Sequence, residues 1–152
     1  MTGKGAPAGA SRSPERSSLD VQVEGVELEL RRIIADTLAG GTDALPPHVS
    51  ERINERIATA RRPNPGLGNG RYDSLPGKLE YCDLRELQVV LTSKTLWPRF
   101  EARFGSKEIL NVRFAQLAEL RNSLRHSRTV DDVTRKDGEA ALIWFRQVLA
   151  HG

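Results

Sequence analysis

Residues 107–127, KEILNVRFAQLAELRNSLRHS, decide the fold class. At about 100° per residue they place Leu110, Phe114, Leu117, Leu120 and Leu124 on one stripe, the pattern of a helix with one face in a core. Nearly opposite fall Glu119, Asn122 and His126, led up to by Val112, Ala115 and Ala118. Polar groups beside small side chains suit close approach by another helix, including one from a second subunit. Arg121 and Arg125 lie on the flank between the two faces, and Ser106 can cap the start of the helix.

The segments around it are read the same way. Asp83 can cap a helix carrying Leu84, Leu87, Val90 and Leu91, and Trp97, Phe100 and Phe104 predict a short aromatic helix closed by Gly105. Thr134 and Asp137 predict a capping box that opens a last helix with Ala141, Trp144, Phe145, Val148 and Leu149. Nearer the start, Val26, Leu30, Ile33, Ile34 and Leu38 keep helical spacing up to a Gly40-Gly41 stop. Val49, Ile53, Ile57 and Ala60 follow Pro46-Pro47 and end before Pro63. Residues 63–78, PNPGLGNGRYDSLPGK, are expected to be a long connecting loop; no strand precedes their glycines, which argues against a phosphate-cradling loop. No stretch alternates with a two-residue period. The expectation is an all-α bundle of four to five helices over residues 19–152, behind a disordered tail at residues 1–18 made of Gly, Ala, Pro, Ser and Arg.

Composition narrows the function. The 152 residues hold 23 basic and 20 acidic side chains, a formal charge of +3, so a fold coated with cations to hold a polyanion is not expected. The excess is local: residues 99–128 carry seven basic and three acidic side chains, a net of +4. A single cysteine, Cys82, rules out an intramolecular disulfide and a cysteine-cluster metal site, and it lacks an activating neighbour. His48 has no second ligand at metal spacing, so no metal or cofactor is expected. The opening residues contain no apolar core of a signal peptide, and no apolar run is long enough to cross a bilayer; a cytoplasmic protein with no membrane contact is predicted. Trp97, Trp144, Phe100, Phe104, Phe114 and Phe145 sit at core spacing rather than on a base-stacking surface, Tyr72 and Tyr81 flank the Gly-rich loop with nothing to select them, and a basic helix-turn-helix for DNA is missing.

What remains is Arg121-Asn122-Ser123-Leu124-Arg125-His126, an arginine and a histidine with four residues between them. A second match, Arg146 to His151, lies at the chain end, where a catalytic imidazole has nothing to hold it. RNSLRHS, closing a long helix before a loop and a capped last helix, resembles the signature of HEPN domains, which typically reads Arg-Asn-x-x-x-His. YCDLRELQVVLTSKTLWPRF at residues 81–100 and ALIWFRQVL at residues 141–149 resemble the HEPN branch at the end of a eukaryotic nuclear RNA-surveillance endonuclease, a branch that also occurs in bacterial defence proteins. The resemblance implies a homodimer in which two such motifs line one cleft and cut RNA without a metal. The role implied is that of a toxin, an antiviral effector or an RNA-processing enzyme, with an antitoxin or defence protein as a further partner. Carried over, Arg121 and His126 are the catalytic pair and Asn122 supports them. HEPN toxins modified by nucleotidyltransferase antitoxins carry a Tyr two positions after the His; Arg128 stands there, which speaks against that form of control.

The chemistry is coherent with those residue types. The 2′-OH of RNA is its own nucleophile, a histidine moves protons near neutral pH, and an arginine fork matches phosphate oxygens. Arg125 and Arg128 are placed to follow the RNA backbone. On one straight helix Arg121 and His126 are about 140° apart, so a distorted helix end or a second protomer is needed to bring them together. The bland alternatives are a histidine favoured by the helix dipole and arginines paired with Glu119 or Asp132. The competing function is a non-catalytic HEPN-fold adaptor that binds RNA or protein.

Overall fold

The computed structural model describes residues 13–39, 41–66, 70–126 and 129–150, and among these there is no strand. Six helices have eight or more residues, more than the four to five expected: α1 (Pro14–Leu38), α2 (Pro47–Arg61), α5 (Leu84–Thr92), α6 (Trp97–Phe104), α7 (Lys107–His126) and α8 (Asp132–Ala150). Two short helices, α3 (Gly70–Asp73) and α4 (Leu75–Leu79), stand where a loop was expected. Ser74 caps α4 by accepting from the Gly77 N–H, and Tyr72, Leu75 and Leu79 are buried. Their spacing is helical, but the surrounding glycines and prolines hide it.

The boundaries follow local chemistry. Asp83 and Glu86 form a reciprocal capping box on α5, Gly105 closes α6 at φ 80°, and the Ser106 hydroxyl accepts from the Ile109 N–H at the start of α7. Three expectations need correcting. α1 begins at Pro14, with Ser13 accepting from the Arg16 N–H, so residues 14–18 are helical, while residues 1–12 lie outside the described ones. α1 does stop before the glycine pair, but the left-handed residue that ends it is Ala39, at φ 51°. α8 starts three residues earlier than expected, because Asp131, not Thr134, is the cap and accepts from both the N–H and the hydroxyl of Thr134.

The α7–α8 pair is the most extensively packed in the molecule, and α1 lies against both helices as well as α4 and α5. Two features set the close approach of α7 and α8. Gly138 faces Leu120 so tightly that a Cβ there would sit 2.6 Å from the Leu120 Cβ. Phe114 and Phe145 meet edge to face with centroids 5.1 Å apart, and Trp144 packs at the same distance on Phe145. On the other side of the bundle, Arg56 of α2 grips the carboxylate of Glu86 and the Tyr81 carbonyl. Burial pushes the Glu86 carboxyl up, but the Arg56 hydrogen bond and the Asp83 backbone N–H outweigh it and hold the group below its ordinary range.

Two outcomes follow from this packing. Gly138→Ala has to separate α7 from α8, and chemical denaturation should show a loss of about 1–3 kcal/mol; a variant as stable as the parent would mean that the helices do not meet at Leu120. Because Glu86 titrates lower when folded than when unfolded, its contribution is present above the unfolded carboxylate value and is lost as pH falls through the folded one. The melting-temperature gap between the parent and Glu86→Gln should therefore narrow as pH is lowered from about 6 to about 3, through the carboxylate range.

Candidate functional site

The residues singled out by the motif occupy the last two turns of α7, which stays α-helical through His126. Asn122, Arg125 and His126 are exposed, and with Glu119 and Ala115 they share the side of α7 that faces solvent. Arg121 does not lie with them. It sits on the inward side, following Leu117 and Leu120 and preceding Leu124, and its side chain is only 27% exposed. Its Nε lies 3.5 Å from Oε1 of Glu27, a carboxylate buried among the apolar residues of α1. The Arg121 Nε is itself shielded from solvent and makes no hydrogen bond within ordinary limits, so the contact is a long, charge-only one. The partner is Glu27, not the Glu119 or Asp132 that sequence proximity suggested; Asp132 pairs with Arg135 instead.

Five helical positions separate Arg121 from His126. With α7 regular, their side chains leave the axis about 140° apart and about 7.5 Å apart along it. One protomer therefore points the guanidinium toward α1 and the imidazole away from it. The Asn122–His126 pair, four residues apart on one face, is brought together as expected.

The local positive charge is largely committed elsewhere. Arg99 donates to the Thr37 carbonyl at 2.6 Å, and Arg103 donates to the Val148 and Leu149 carbonyls at 3.1 and 3.4 Å. Arg113 donates to the Gln116 side chain, and the Lys107 ammonium lies over the Trp97 ring. With Arg121 tied to Glu27, Arg125 is the exposed cation of the motif, while Arg128 and His151 lie outside the described residues. Within one chain, Arg99 and Arg103 thus serve helix-end carbonyls and Arg121 faces a carboxylate, while Arg125 stays exposed.

Besides Glu27, sequence reasoning missed a second residue here. Arg16, placed in the tail by composition, reaches from the first turn of α1 to the end of α7 and donates from Nη2 to the Leu124 carbonyl at 2.8 Å and to the Ser123 carbonyl at 3.3 Å. The signal was the Ser13-Pro14-Glu15 start, which is a good helix N-terminus without any apolar residue to advertise it.

Among the described residues no group of acidic, histidine or cysteine side chains is arranged for a metal ion, and no helix is long and apolar enough to cross a membrane. Burial pushes the Cys82 thiol up to about 12, which makes it a poor nucleophile. A shallow depression of about 420 Å³ lies between Glu55, Arg56, Thr59, Ala60 and Tyr81, lined by none of the motif residues.

Breaking the Glu27–Arg121 pair strands a charge beside apolar neighbours. Glu27→Gln should lower unfolding stability by about 1–2 kcal/mol, less than for a fully enclosed pair because Arg121 is partly solvated. Glu27→Leu combined with Arg121→Leu should recover most of that loss in urea unfolding, and a double variant no better than the single one would show that the pair is not what Glu27 contributes. No family model, curated protein or solved structure matches this chain, so the site stands on its own residues.

Proposed function

We propose that this chain is a HEPN-type endoribonuclease that cuts RNA without a metal and works as a homodimer. The observation that carries this reading is the placement of Asn122 and His126 on the solvent-facing side at the end of α7, in the same two turns that hold Arg121 fixed against Glu27. In the reaction, His126 takes the proton from the 2′-OH or returns one to the leaving 5′-oxygen. Arg121 places charge on the phosphorane and Asn122 orients the imidazole or a phosphate oxygen. Arg125 and Arg128 guide the RNA backbone. Because Arg121 and His126 diverge within one helix, the Arg121 of one protomer serves the His126 of its partner. A role as toxin or antiviral effector, restrained by an antitoxin or another defence protein, follows from the resemblance of the motif.

One observation favours a second reading. The guanidinium that should meet phosphate already faces a buried carboxylate, an arrangement equally at home in a HEPN-fold adaptor that binds RNA or protein without cutting it.

Cleavage assays separate the two. Incubated with labelled RNA in excess EDTA, the parent protein should cut, and His126→Ala should lose at least about a hundredfold in rate, the scale of positioned acid–base catalysis. RNA retained intact but bound by both proteins would establish the adaptor, and activity abolished by EDTA would remove the metal-free mechanism.

A further inference from the structure

The last turn of a helix leaves four carbonyls without intrahelical donors, and their partial negative charge is added to that of the helix dipole. In α7 this end carries His126 and, one turn earlier, Asn122. It is an unfavourable place for a phosphate and a loose one for an imidazole, because terminal turns fray. In this turn the carbonyls of Ser123 and Leu124 accept from the guanidinium of Arg16, more than a hundred residues away in the chain. The turn that supplies Arg16 is itself fastened. Ser13 caps it through the Arg16 N–H, and Glu15 lies 3.6 Å from Arg135 in the first turn of α8. The first turn of α1 thus ties the place where α7 ends to the place where α8 begins.

We infer that Arg16 is a positioning residue of the α7 site: it closes the last turn beneath Asn122 and His126 and offsets the negative helix end that a substrate phosphate would otherwise meet. It touches neither of those side chains in the structure and acts through the Ser123 and Leu124 carbonyls. The inference rests on the ribonuclease reading and adds to it a residue from outside the motif. Two consequences distinguish it from a purely structural contact. Loss of Arg16 should slow the chemical step more than it weakens RNA binding, and a cation able to reach the same carbonyls should restore the rate.

The test uses the full chain with Arg16→Ala, Arg16→Lys and Arg16→Gln. Amide hydrogen exchange should become about tenfold faster at residues 123–126 in Arg16→Ala and change little in the middle of α7. On RNA, kcat should fall about tenfold with KM within about twofold, as expected when a reacting group is held less well. Arg16→Lys should recover most of the rate, since an ammonium still donates to a carbonyl and keeps the charge. Arg16→Gln, which donates without charge, should fall between the two and provides the comparison if the alanine variant does not fold.

Full activity in Arg16→Ala would overturn the inference while leaving the ribonuclease reading intact. A loss confined to KM, with a shallower salt dependence, would overturn it in favour of direct phosphate contact. Faster exchange with unchanged kcat would reduce Arg16 to a structural cap. A parent protein that cuts no RNA would defeat the ribonuclease reading itself, and the positioning role with it.

Discussion

The bundle depends on arginine side chains that satisfy the carbonyls of helices other than their own. Arg16 reaches the end of α7, Arg99 the end of α1 and Arg103 the end of α8. Arg31 donates to the Leu79 and Cys82 carbonyls on either side of the turn between α4 and α5, and Arg56 to the Tyr81 carbonyl within it. Each of these carbonyls lies near a helix end, where the backbone's partial negative charge gathers. Guanidinium suits the task because it offers several donors in one plane, carries a charge of the right sign for a helix C-terminus and tolerates partial burial along its stem. Lysine, with a strongly hydrated point charge, would do it less well. An arginine-rich, nearly neutral chain is thereby explained from inside the fold: many of its cations are structural donors between helices rather than a surface for polyanions.

That role also determines what the sequence could disclose. The α7 stripe, the Asp83 and Ser106 caps and the α2 limits all rest on contacts within a few residues, and local spacing exposes them. The first turn of α1 does not rest on such contacts. It buries nothing before Leu19, and it is held by Arg16 and Glu15 reaching α7 and α8. Composition therefore reads as disorder where tertiary contacts make a helix. The segment around Tyr72, Leu75 and Leu79 fails for the opposite reason: its apolar spacing is present, but its glycines and prolines dominate any local reading.

The site was legible to the same extent. Helical geometry alone separates Arg121 from His126 and joins His126 to Asn122, and the structure keeps both relations. What geometry within one helix could not provide is the partner of Arg121. Glu27 lies on α1 between Val26 and the buried Leu30, and only the docking of α1 on α7 turns those two charges toward each other. The local excess of positive charge is read the same way: counting cations along a segment does not say which of them also serve carbonyls or carboxylates.

A half-buried ion pair between two apolar helix faces is a poor way to gain stability, since hydrocarbon side chains of similar size usually serve as well or better. Its value lies in direction. Glu27 lies beside the inner edge of Arg121, on the side of α7 away from His126 of its own chain. If the two residues act on one phosphate, the imidazole has to come from elsewhere. A two-fold axis provides that economically: when one protomer's Arg121 approaches the partner's histidine, symmetry places the reciprocal pair in the same cleft. In the proposed dimer, two chains would bring together what one chain holds apart, and a small net charge per protomer would accompany a basic cleft where two α7 ends meet.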